Sequence, residues 1–82
     1  MIQRILWTEH AQLRLKDRGL TSHDVEEVVR EGHESREANH GVADWRVHGT
    51  RSDGRRFAVI YDHPAFGDPA VARIISVWPL RT

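Results

Sequence analysis

Between Thr8 and Gly32 the chain marks the start and the stop of two successive helices, and that pair constrains the fold more than any other stretch. Thr8 is a good N-cap, and Glu9 puts negative charge in the first turn, where the helix dipole favours it. Helix one is expected to run to about Arg18, with Lys16 and Arg18 in its last turn. Gly19 then supplies the left-handed C′ residue and Leu20 the hydrophobic residue behind it. Thr21 caps helix two, with Asp24 in the capping-box position. Val25, Val28 and Val29 form one apolar stripe, Glu26, Glu27, Arg30 and Glu31 face away, and Gly32 ends the helix.

Helix one has an unusual face. At 100° per residue, His10, Ala11, Arg14, Leu15 and Arg18 share an arc of roughly 140°. An ordinary core helix fills such an arc with Leu, Ile or Val. An imidazole and two guanidiniums are costly to bury unpaired, so they face a site or they serve structural partners. In the structural alternative His10 bonds a backbone carbonyl, and Arg14 and Arg18 pair with Asp17, Glu9 or the acidic second helix.

After Gly32 the pattern changes. Ile2 to Trp7 can form a short leading strand, and Glu34 to Asn39 a polar edge strand before a turn at His40-Gly41. Ala43 to Thr50 alternates, with Trp45, Val47 and Gly49 on one side and Arg46 and His48 on the other. Ser52-Asp53-Gly54 signals a hairpin turn. Arg55 to Asp62 is the strongest strand and reads as buried on both faces; residues 63–69 make a Pro/Gly loop. Ala70 to Trp78 is a second buried strand, closed by Pro79. The expected fold is α+β: two N-terminal helices packed on one face of a three- or four-stranded antiparallel meander, as a two-layer sandwich.

The 82 residues suit one domain spanning 1–82. With 12 basic and 12 acidic side chains the net charge is zero, against a strongly electrostatic nucleic-acid binder. Charge is segregated, however: residues 24–37 hold six acidic and two basic side chains, whereas 1–18 and 44–82 are mildly basic, so a local basic cleft remains open. The lack of cysteine fits a reducing compartment. No apolar run approaches the ~18–20 residues of a membrane span, and Met1–Trp7 is too short for a signal peptide. A cytoplasmic protein without membrane association is expected.

The six histidines, at 10, 23, 33, 40, 48 and 63, lack the close ligand pairing usual for zinc, so no metal is expected. No phosphate loop or nucleophile elbow occurs, and no cofactor is expected. What remains is His plus several Arg, which is enough for metal-free phosphodiester cleavage. One group takes a proton from a ribose 2′-OH, another protonates the leaving 5′-oxygen, and cations hold the phosphate. His10 is the obvious acid/base and Arg14 follows it by one turn. Arg46 and His48 share a strand face. Arg73 and Ser76, an odd number of residues apart, would point to opposite faces of a regular strand, so only one would reach a common site. Trp45, Tyr61, Phe66 and Trp78 could stack bases, but most aromatics of so small a domain belong to its core; Trp45 and Tyr61 are expected there, and Phe66, in its loop, is the better base-stacking candidate.

With these residues in hand, the chain resembles a bacterial family known as domain of unknown function 4258. The resemblance rests on Thr8-Glu9-His10-Ala11-Gln12-Leu13-Arg14, Arg18-Gly19-Leu20-Thr21, Asp24-Val25, Arg46-Val47-His48-Gly49 and Ile75-Ser76-Val77-Trp78, in that order over about residues 8–78. The tail Arg73-Ile74-Ile75-Ser76 also looks like the matching strand of BrnT-type toxins, relatives of the RelE-like ribonucleases of toxin–antitoxin pairs. That resemblance implies a RelE/BrnT-like sandwich and a metal-independent endoribonuclease of toxin type, with His10, Arg14, Arg46 and Ser76 lining a cleft between helix one and the sheet. Arg14 and Arg46 would clamp phosphate, Ser76 would donate to phosphate or ribose, and Arg18, His48, Phe66 and Arg73 would contact RNA. Its partners would be RNA (mRNA or tRNA) and a small antitoxin protein. The alternative is a non-catalytic module that uses the same Arg-lined cleft to bind RNA or a protein partner.

Overall fold

Thr8 begins the helical layer as expected. Its Oγ accepts the Ala11 N–H at 3.1 Å while its hydroxyl donates to the Ile74 carbonyl at 2.9 Å. The computed structural model describes residues 2–17, 19–51 and 53–80. Strand β1 (Arg4–Trp7) leads into helix α1 (Glu9–Asp17), followed by helix α2 (Ser22–Gly32) and a 3-10 turn (His33–Ser35). Strands β2 (Glu37–Ala38), β3 (Trp45–Thr50), β4 (Arg56–Asp62) and β5 (Val71–Pro79) complete the chain.

The stop after α1 is a Schellman arrangement. Leu20 N–H donates to the Leu15 carbonyl at 3.2 Å, Gly19 N–H to Lys16 at 3.3 Å, and Gly19 sits at φ 66°. Arg18 lies outside the described residues, as does Ser52 of the predicted hairpin turn. Thr21 caps α2 by accepting the Asp24 N–H at 3.1 Å.

Gly32 ends α2 as expected, and the chain turns on through a 3-10 turn at residues 33–35. A Cβ at Gly32 would collide with Val47 Cγ2, so its task is close approach of α2 to β3. That turn takes Glu34 and Ser35 from the expected edge strand, of which Glu37 and Ala38 pair, with Arg46 and Trp45.

The sheet has five strands in the order β1-β5-β4-β3-β2, not three or four, and it is mixed. β1 runs parallel to β5, with Arg4 opposite Val71 and Trp7 opposite Ile74; the other pairings are antiparallel. Parallel neighbours need a crossover, and the helices supply it. Strand β1 therefore precedes the helices and joins the sheet at its far end. The α+β class and the helices on one face stand as expected.

Ala11, Leu20, Val25 and Val29 from the helices meet Val47, Phe57, Val59, Tyr61, Ala72, Ile74 and Val77 from the sheet, with Trp45 packed alongside. Trp45 and Tyr61 are thus core residues. Among the described residues no helix is long and apolar enough to cross a membrane.

One irregularity re-phases β5. Ile60 pairs with Ser76 but Tyr61 pairs with Ile74, so Ile75 is an extra residue in a β-bulge. Arg73 lies opposite Asp62 and Ser76 opposite Ile60, and Asp62 and Ile60 share a face of β4. Arg73 and Ser76 consequently point the same way, away from the helices, contrary to the parity of a regular strand.

Candidate functional site

The face of the sheet without helices carries two cross-strand rows. Arg46, Ile60 and Ser76 form one; His48, Ala58 and Trp78 form the other. Ala58 and Ile60 are fully buried even on this face, because longer side chains on β3 and β5 flank them. They floor a groove. Residues 37–42 close one side of it, making a cavity of about 600 Å³ that Arg46, Ile60, Ser76, Trp78 and His40 line.

The polar groups here are unusual in their partners. Arg46 Nε–H donates to His48 Nε2 at 3.0 Å, so the His48 ring accepts through that nitrogen. Ser76 is 4% exposed, and its Oγ is buried without a hydrogen-bond partner among the described residues. A buried hydroxyl left unpaired carries a desolvation cost of about 1–3 kcal/mol. Trp78 remains 45% exposed at the rim.

Val42 lines this cavity and also a neighbouring hollow of about 330 Å³ bounded by Asp62, Phe66 and Arg73. The Arg73 guanidinium carbon stands 6.0 Å from the Phe66 ring centroid, at the outer limit of a cation–π contact. Phe66 is 77% exposed and holds φ 55°, a left-handed conformation that side chains rarely adopt.

The structure divides the residues singled out from the sequence. Arg46, His48, Phe66, Arg73 and Ser76 gather on or beside the open face. His10 and Arg14 do not join them. They belong to α1, which packs onto β5 from the other side through the fully buried Ala11, leaving His10 exposed and Arg14 half-buried. The expected cleft between helix one and the sheet therefore does not hold Arg46 or Ser76, which project from the opposite face. Periodicity correctly set His10 beside Arg14 but could not say which face of the sheet the helix would cover. Sequence reasoning missed His40 and ranked Trp78 below Phe66. His40 stood in a predicted turn, and nothing local said that this turn folds over the open face.

A second cluster also escaped sequence reasoning. The Tyr61 hydroxyl lies 2.7 Å from His33 Nδ1, and the His33 and His63 rings meet edge to face at 4.4 Å. Burial pushes the Tyr61 phenol up to about 12, so it keeps its proton in the hydrogen bond that it shares with His33 Nδ1. Burial, then the Arg36 guanidinium and His63, lower the His33 pKa. His63 Nε2–H donates to the Pro69 carbonyl at 2.7 Å, and Trp45 Nε1–H to the His63 carbonyl at 3.0 Å. These bonds tie the loop after β4 to the end of α2. They satisfy one another, which marks a structural latch. Among the described residues no group of three His, Asp or Glu side chains is placed to hold a metal ion.

Comparison with known proteins supplies a family and no activity. No curated protein and no solved structure matches the chain. A family model described as "Domain of unknown function (DUF4258)" matches residues 7–79, from the last residue of β1 to the end of β5, and includes every open-face residue described above. The chain belongs to the DUF4258 family.

Proposed function

We propose that this chain is a metal-independent endoribonuclease whose working surface is the open face of the sheet. The observation that carries this reading is one groove gathering the Arg46 guanidinium, the His40 imidazole, an unpartnered buried hydroxyl and an exposed indole over an apolar floor, with His48 bonded to Arg46 in the adjoining hollow. Arg46 grips the phosphate with its planar fork. Ser76 donates to a phosphate or ribose oxygen, and Trp78, with Phe66 further along, stacks bases. His40 takes the 2′-OH proton as the 2′-oxygen attacks phosphorus. The bond from phosphorus to the 5′-oxygen breaks, and protonated His48 returns a proton to that oxygen. The products are a 2′,3′-cyclic phosphate and a free 5′-OH. A RelE/BrnT-like kinship of the fold, a cytoplasmic place of action and a small antitoxin covering this face belong to the same proposal.

The second reading is an RNA-binding module that does not cleave. It is favoured by the Arg46–His48 bond, which occupies the imidazole nitrogen that catalysis needs. Incubating labelled total RNA with protein and chelator decides between them. Cleavage that ends in cyclic phosphate and falls roughly 10²–10⁴-fold in His48→Ala supports the enzyme. Intact RNA that is retained in a salt-sensitive way supports the module. Intact RNA without retention overturns both.

A further inference from the structure

Arg46 and His48 stand two residues apart on one face of β3, and the Arg46 Nε–H donates to His48 Nε2 at 3.0 Å. A nitrogen that accepts carries no proton, so this contact requires a neutral ring with its hydrogen on Nδ1. Protonate the ring and Nε2 becomes a donor. The same contact then sets N–H against N–H and cation against cation. The pair therefore has two exclusive arrangements. In one the neutral ring accepts from the guanidinium; in the other both groups turn N–H bonds outward, side by side and positively charged.

The charged surroundings decide how the second arrangement is held. Glu37 on β2 lines a hollow together with Arg46 and His48 and favours the charged ring. Arg46 on the same strand opposes it, as does Arg56, which shares the open face of β4. From α2 and the 3-10 turn only the uncharged Gly32 and Ser35 reach that hollow. Across β4 the ring faces Ala58 and then Trp78, neither of which titrates. One carboxylate thus meets two guanidiniums. A bound anion would reverse that balance. A phosphodiester has two non-bridging oxygens and one negative charge, so it accepts from both cations at once.

We infer that a phosphodiester bound at Arg46 and His48 takes up one proton at His48, by displacing the imidazole from the Arg46 Nε–H. This rests on the reading that the open face receives RNA, and it supplies the proton that the leaving 5′-oxygen requires. The ligand class is a phosphodiester monoanion, which does not itself titrate near neutrality.

The test uses a 2′-O-methyl oligonucleotide, which cannot be cleaved, with affinity measured by fluorescence anisotropy from pH 8.0 to 6.0 at constant ionic strength. Circular dichroism at each pH verifies that the chain is folded. For a single linked proton, log Ka rises as pH falls with a slope approaching −1, which is about tenfold per pH unit. His48→Gln still offers Arg46 an acceptor oxygen but cannot be charged, and its slope is expected to be flat; His10→Gln, on the helical side, should retain the wild-type slope. Binding that does not vary with pH overturns the proton uptake and leaves the RNA reading standing. A slope that survives in His48→Gln also overturns it. An oligonucleotide that fails to bind at every pH removes the RNA reading as well.

Discussion

Ser76 holds its hydroxyl in a buried position where nothing among the described residues answers it, opposite Ile60 and one strand further from Arg46. A group kept at such a cost separates stability from function. Ser76→Ala is expected to leave the urea midpoint unchanged, or to raise stability by up to about 1 kcal/mol, because an unpaired polar group disappears. The same variant should weaken RNA retention on a filter. Tyr61 behaves in the opposite way. Tyr61→Phe removes the hydrogen-bond partner of His33 Nδ1 and should lower stability by about 1–3 kcal/mol. His33 itself predicts a pH effect. Its folded-state pKa lies below the ordinary 6.5, so the unfolded chain binds the proton more readily. That contribution is fully present above about pH 6.5 and fades as pH falls toward the lowered folded value. Urea midpoints compared at pH 7.5 and 5.5 should show a smaller acid loss in His33→Gln than in wild type.

Among the elements, the helices were legible because their signals are local: Thr8, Gly19 and Thr21 act within four residues of themselves. The sheet was less so. Alternation located β3 and a continuous apolar run located β4, but no local pattern says that β1 pairs with β5 or that it runs parallel to it. The bulge at Ile75 was equally hidden, since an extra residue shows only against its partner strand. Regular parity therefore separated Arg73 from Ser76, which the folded strand aligns. Glycine roles were half visible. Gly19 was read correctly as a left-handed stop, whereas Gly32 and Gly49 are spacers whose need arises from a neighbouring layer. A Cβ on Gly49 would collide with Val28 of α2. Gly49→Ala should cost about 1–3 kcal/mol by overpacking. Adding Val28→Ala should recover part of it, as a double-mutant cycle in thermal melts can show.

At the scale of the whole molecule, the sheet separates two chemically different surfaces. The helical side carries His10 and Arg14; the open side carries Arg46, His48 and Ser76. His10 was the favoured acid/base from the sequence because an imidazole suits proton transfer near neutrality and Arg14 follows it by one turn, but helical spacing says nothing about which face of the sheet the helix covers. Arg46, His48 and Ser76 were recognisable by type, and their union became visible only once β3 and β5 flanked β4. His10→Ala and Arg14→Ala should accordingly leave RNA cleavage within roughly twofold of wild type, since they contact none of the open-face groups. The same gel assay checks this. A large loss in either would move the working surface to the helical side.

The pairing of Arg4 with Val71 sews the beginning of this chain to its end. During synthesis the ribosome would release β1 and both helices long before the strand that receives them exists. The groove, whose Ser76 and Trp78 lie on β5, cannot be assembled before β5 has emerged. Whatever this face binds, it binds only after β5 has left the exit tunnel and closed over β1.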